Sequence, residues 1–170
     1  MTDSEFERYV RLYRRNVFAA ALCLVRNEYD ADDITQEAFL RLYRYGGTFS
    51  EDEHVKAWLI RCALNRGKTM LGSGWRRRSL PLDAAAEITY TDSAYDGGSD
   101  LLKLIGKLKR NNRIALHMYY YEGYTTEEIS AILGISTGAV NSRLSRGRQQ
   151  LKALIGDERN VDNGLQGSVR

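Results

Sequence analysis

The chain has 170 residues, 43% of them hydrophobic and 28% charged, with a formal net charge of +3. That suits one compact domain or two small ones with globular cores. It leaves no apolar run long enough to span a bilayer, no signal-peptide core behind the charged start "MTDSEFERYV", and with two cysteines no disulfide framework; a cytoplasmic protein is expected.

Phe6, Val10, Tyr13, Val17, Ala21 and Leu24 recur every three or four residues, so residues 3 to 26 read as an amphipathic helix. A second helix begins near Asp30 on the stripe Ile34, Ala38, Leu42, with Phe39 and Tyr43 beside it, and stops at Gly46-Gly47. A third begins near Glu51 with Val55, Leu59, Cys62 and Ala63 inside and runs to about Gly72. Residues 79 to 99 change character: they hold the only proline, Pro81, four acids, no base and a Gly-Gly. This is a linker by composition. Leu101, Leu104, Ile105 and Leu108 mark a short helix, and Ile114, Leu116, Met118 and Tyr119 another that ends at Gly123. No segment alternates as a strand does.

The last helices are the most specific. Thr125 and Glu128 have capping-box spacing, and Ile129 and Leu133 face inward. Gly134 suits the left-handed bend between two helices, and Ser136 caps the next one. Val140, Leu144, Leu151 and Leu154 take its buried side. Thr137, Asn141, Ser142, Arg143, Ser145, Arg146 and Gln149 are left outside, a pattern fit for a major groove. An ordinary helical hairpin with a basic surface is the plain alternative.

Charge is distributed in blocks. Residues 56 to 78 carry seven bases and no acid, the linker is acidic, and bases return in 103–113 and 143–152. Two basic modules joined by an acidic connector fit a phosphate-backbone partner. No nucleophile–base pair or phosphate-binding glycine loop is present. Cys23, Cys62, His54 and His117 have no metal-ligand spacing. Neither an enzyme nor a cofactor or metal is expected; the thiols read as buried, His54 as surface and His117 as core.

"YYYEGYTTEEISAILGISTGAVNSRLSRGRQQLK" resembles region four of bacterial RNA polymerase sigma factors. "DADDITQEAFLRLYR" is similar to the clamp-binding helix of region two, and "AWLIRCALNRGKTMLGSGWRRR" to its promoter-reading helix. The compact two-part layout resembles the extracytoplasmic-function group of the sigma-70 family. The resemblance implies an all-α protein of two small helical domains on a flexible linker: region two over 1–78, linker 79–99, region four over 100–156 and a tail over 157–170. It implies an alternative sigma factor that binds core polymerase and recognises minus-thirty-five and minus-ten elements. A free-standing helix-turn-helix regulator is the alternative, but it gives no role to the first half.

Asp33, Gln36, Glu37 and Arg41 share one polar helix side by their spacing of three and four. That is a solvated face on physics alone; the resemblance makes it the surface docked on the clamp helices of the largest polymerase subunit, with the flap as a second contact. It likewise assigns Arg61, Asn65, Lys68, Arg76, Arg77 and Arg78 to the minus-ten region, and Thr137, Asn141, Ser142, Arg143, Ser145 and Arg146 to the minus-thirty-five region. The loop "YGGTFSEDEH" corresponds to one that captures a flipped base. Phe49 is a candidate there and equally a core cap; Trp58 reads as core. An anti-sigma factor, often membrane-bound, is the implied regulator. Two departures stand out: "LKRNNRIAL" lacks the proline that usually opens region four, keeping Arg113 as the basic position, and Gly72 and Gly74 interrupt the end of the promoter helix.

Overall fold

The computed structural model describes residues 1–72 and 104–166, with side chains as far as residue 156. The linker at 79–99, the arginines Arg76, Arg77 and Arg78, Gly74 and Leu101 fall outside the described residues. The described residues form the helices α1 (Asp3–Val25), α2 (Glu28–Tyr43), α3 (Asp52–Gly72), α4 (Arg110–Tyr120), α5 (Thr126–Leu133) and α6 (Thr137–Gln166), with one helical turn at 104–106. No strand occurs among them.

Local chemistry sets most boundaries. Thr2 and Glu5 form a capping box at the start of α1, and the Asn27 side chain caps α2 by accepting from the Asp30 amide. Both satisfy amides that lack intrahelical partners. Helix α2 therefore starts earlier than the apolar stripe indicates, at Glu28, and closes at Tyr43, before the glycine pair. At the hairpin, Thr125 and Glu128 form the expected capping box, Gly134 is left-handed with φ 66°, and Ser136 Oγ accepts from the Ala139 amide at 3.1 Å. Helix α4 starts at Arg110 without a side-chain cap.

Helices α1, α2 and α3 pack on one another, and α4 and α5 pack against α6. Val17, Leu22, Leu24, Ile34, Leu42, Leu59 and Leu64 fill the first core. Each stabilises by roughly 1.5–3 kcal/mol when fully buried. Leu116, Met118, Ile129, Val140 and Leu144 fill the second. Several sequence expectations are corrected in detail. Cys62 is only half-buried, and Ile60 replaces it in the α3 core. Tyr119 is exposed rather than inside, because α4 turns it towards Tyr120 and Arg148. Leu151 and Leu154 are half-buried.

The two cores are continuous. From Ala19 to Val25 every residue of α1 is buried, as a helix apolar all round must be. Helix α4 covers the side that α2 and α3 leave open, and α3 also meets α5.

Candidate nucleic-acid interface

Three polar surfaces are built on this frame. The first lies on α2. Asp33, Gln36 and Arg41 are exposed, while Glu37 is half-buried. Gln36 Nε2 donates to Asp32 at 2.6 Å and Arg41 to Glu37 at 2.8 Å. Glu37 also accepts from Arg66 Nε of α3. Burial raises the Glu37 carboxyl, but hydrogen bonds from Arg66 and Arg41 outweigh it and leave the group below its ordinary value. Glu37 thus ties α2 to α3. Leu40 and Tyr43, exposed next to this face, add apolar contact area.

The second surface is the outer side of α3. Arg61, Asn65 and Lys68 are all exposed, one stripe at steps of four and three. Phe49, Trp58 and Tyr45 pack together, with ring centroids 5.0 to 5.9 Å apart, and Phe49 and Trp58 are half-buried against the core. Both rings brace the loop ahead of α3. Tyr9, Tyr45, Thr48 and Phe49 line a small pocket beside it.

The third surface is the outer side of α6. Thr137, Asn141, Ser142, Ser145 and Arg146 are exposed; Arg143 is half-buried. Arg143, Arg146, Ser142 and Gln149 line an open cleft whose other wall is Lys109, Arg110 and Asn111 at the start of α4. The basic run 103–113 therefore splits. Lys109 and Arg110 face the cleft, but Arg113 is 3% exposed and spends its guanidinium on backbone carbonyls, Leu108 among them at 2.8 Å. It is not a phosphate ligand in this arrangement. Position within the basic run signals Lys109 and Arg110; nothing in the run separates them from Arg113, which only the third dimension does. A further, apolar groove lies along α6, lined by Ile105, Tyr120, Leu151 and Ile155 with Arg148 and Lys152 at its rim.

His54 is exposed and His117 is 2% exposed, as their patterns indicate. Cys23 is buried. Among the described residues no group of three or more metal-ligating side chains comes together, and no helix is long and apolar enough to cross a membrane.

Two basic helices on adjoining helical bundles that share one core, one preceded by a polar helix face and one inside a capped helix-turn-helix, define an all-helical DNA-directed adaptor. Family models agree with both parts: that for sigma-70 region 2 matches residues 9–77 and that for sigma-70 region 4 matches residues 99–151. The ECF RNA polymerase sigma factor SigE of Mycolicibacterium smegmatis is 34% identical over 88% of this chain, which spans 61% of that relative's length. RNA polymerase sigma factor CarQ of Myxococcus xanthus is 33% identical over 79% of each chain. The RNA polymerase sigma-E factor of Streptomyces coelicolor is 31% identical over 87% of this chain and 84% of its own. Among solved structures, the fold matches the sigma factor RpoE of Bartonella quintana, crystallised with the anti-sigma factor NepR. The TM-score is 0.64 at 23% identity, covering 89% of this chain and 97% of that one. CnrH, solved with the cytosolic domain of CnrY, gives 0.64 at 24%, covering 92% and 90%. This chain belongs to the sigma-70 family of RNA polymerase sigma factors, in the extracytoplasmic-function group. Its function is that of an alternative sigma factor in transcription initiation.

Proposed function

We propose that the three surfaces divide promoter-specific initiation between them. Asp33, Gln36, Glu37 and Arg41 dock on the clamp helices of the largest polymerase subunit, with Leu40 and Tyr43 supplying the apolar part of that contact. Arg61, Asn65 and Lys68, continued by Arg76, Arg77 and Arg78, follow the minus-ten strand as it opens. Basic side chains hold phosphates there, and the pocket beside Phe49 receives a base taken out of the stack. Helix α6 reads the minus-thirty-five element, and the apolar groove beside Tyr120 takes the flap. The polymerase supplies the chemistry, and the protein acts in the cytoplasm. An anti-sigma factor, free or membrane-bound, is the proposed regulator; RpoE and its partner NepR support that reading by fold likeness.

The observation that carries the DNA assignment is the open cleft between α4 and α6, walled by Lys109, Arg110, Arg143 and Arg146. It separates two roles. Arg146 is exposed on the groove-facing side and contacts base edges together with Asn141. Arg143, half-buried, holds phosphate with Lys109 and Arg110. In a holoenzyme–promoter binding assay, Arg146→Ala should cost about 1–3 kcal/mol and relax preference at one or two base pairs. Arg143→Ala should weaken all sequences alike and lower the salt slope by about 1. If both variants keep wild-type affinity, sequence preference and salt slope, the cleft is not the reading surface.

A further inference from the structure

Glu5 and Tyr9, spaced by four, share one side of α1 and line the pocket ahead of α3 together with Met1, Leu42, Tyr45, Thr48 and Phe49. The pocket measures about 210 Å³. Leu42 gives it a wholly buried apolar residue. Tyr45 and Phe49 give it two rings, 5.0 Å apart between centroids, and every base has a face that stacks on a ring. Stacking therefore accepts any base. What can separate one base from another is the polar part of the lining.

Two of its polar side chains have fixed roles. The capping box holds Glu5, whose Oε2 accepts from the Thr2 amide at 2.7 Å and from Thr2 Oγ1 at 3.2 Å. The backbone bond above all draws its carboxyl below the ordinary value, so at neutral pH the group is ionised and can only accept. Tyr9 Oη donates its one proton to Asp52 Oδ1 at 3.2 Å, which leaves that oxygen only lone pairs. Arg8, the cation between them in sequence, makes a bidentate pair with Asp52 and lies 4.6 Å from the centre of the Tyr9 ring. It is not part of the lining. The Tyr45 and Thr48 hydroxyls can turn either way.

A base taken out of the stack is read on its Watson–Crick edge. Adenine presents its N6 amino group there and cytosine its N4 amino group, whereas guanine presents O6 and thymine O4. An amino group meets the two acceptors as a donor. A keto oxygen meets them as a third acceptor, and a polar group shut in without a partner is costly. We infer that Glu5 and Tyr9 form an acceptor wall by which the pocket selects an amino base, adenine or cytosine, over thymine and guanine. This selectivity rests on the pocket's being the seat of the displaced minus-ten base, as proposed above. Rejection of the keto bases is the repulsive half of the specificity.

The test is competition binding of holoenzyme to fork-junction promoters whose minus-ten bases are already single-stranded, so that pairing strength does not enter. Each of those bases is varied in turn. Phe49→Ala removes a ring from the pocket and marks its position as the one where base preference changes. There wild type should favour adenine and cytosine over thymine and guanine by about tenfold. Purine in place of adenine, or 2-pyrimidinone in place of cytosine, lacks only the amino group and should lose that advantage. Glu5→Gln keeps the capping box, which Gln completes as well as Glu, but adds a donor. It should bring thymine to within about twofold of adenine, with an unchanged thermal melt and unchanged preference at the minus-thirty-five element. Tyr9→Phe keeps the ring and should lower the preference in part. Thymine bound as well as adenine by wild type, tolerance of the missing amino group, or wild-type selectivity in Glu5→Gln or Tyr9→Phe overturns the acceptor wall and leaves the pocket as a base site. If Phe49→Ala changes preference at no minus-ten position, the pocket is not the seat of the base, and the wall falls with it.

Discussion

The two candidate reading helices carry the same short pattern, Arg66-Gly67-Lys68 in α3 and Arg146-Gly147-Arg148 in α6. In both the glycine is buried between basic residues, and in both its face is pressed against a side chain of a neighbouring helix. A Cβ at Gly67 would collide with the Leu24 side chain of α1, and one at Gly147 would stand 2.7 Å from Leu116 Cδ1 of α4. The flanking bases differ in what anchors them. Arg66 is bound to the Glu37 carboxylate of α2, whereas Arg148 donates to Tyr120 Oη at 2.9 Å and lies over the Tyr119 and Tyr120 rings. Helix α3 is therefore coupled to α2 by an ion pair, and α6 to α4 by a hydrogen bond and cation–π contacts. One architectural solution, a glycine seat, serves two helices that are wired to different neighbours.

The comparison is broken most severely at the core positions that seat each helix. Leu59 of α3 and Leu144 of α6 are fully buried. Leu59→Ala and Leu144→Ala should each lower folding stability by about 2–5 kcal/mol. Thermal melts monitored by circular dichroism read this directly. Because the cores are continuous, each variant should move one cooperative transition. Two separated transitions in wild type would show that the halves do not share a core.

The glycines give the next largest effect and sharpen the likeness. Gly67→Ala and Gly147→Ala add one methyl at a closed contact, which should cost about 1–3 kcal/mol through overpacking; the gain in helix propensity returns at most about 1 kcal/mol. Gly147→Ala should also tilt α6 and weaken minus-thirty-five discrimination more than stability alone explains. Gly67→Ala should leave that discrimination intact. Footprints of the two holoenzymes on promoters varied separately at each element decide the matter. Equal loss at both elements from either variant would mean the glycines act only on stability.

How much of this was legible beforehand depends on sequence distance. Helix existence, the Thr125–Glu128 box, the left-handed Gly134 and the outward stripe of α6 are local, fixed by side chains three or four residues apart. So are the exposed Arg61, Asn65 and Lys68. The joint between the halves is not local. Asn16 meets Glu122 across 106 residues of chain and Arg113 meets Cys23 across 90, and no periodicity announces either pair. One signal was available: residues 17 to 25, "VFAAALCLV", are apolar on every side of the helix. An amphipathic reading of α1 that stops at its stripe misses this, because periodicity says which face is apolar and not that a second element must cover the other. Tyr119 fails for the converse reason, since its place at the end of an apolar series disguises a ring that belongs to the Arg148 cluster.

The smallest effects separate docking from architecture on α2. Asp33 is exposed, so Asp33→Ala should change stability by about 0.5 kcal/mol or less while weakening core polymerase binding. Glu37 contributes to both. Its side chain and that of Arg66 are each about a third exposed, 35% and 34%, so solvent limits the ion pair to about 0.5–1 kcal/mol. The Glu37 carboxyl is held below its ordinary value; the folded state therefore binds its proton less readily than the unfolded chain does. The stability it adds is present above the unfolded carboxyl value, near about 4.3, and is lost as pH falls through the lower folded value. Glu37→Gln should accordingly reduce stability at neutral pH by that small amount and flatten the acid limb of the stability–pH curve. Chemical denaturation from pH 7 to pH 3, paired with polymerase affinity at pH 7, reads both. If Asp33→Ala binds core polymerase as tightly as wild type, the docking face is misassigned. If Glu37→Gln keeps the wild-type acid limb, Arg66 does not couple that face to the promoter helix.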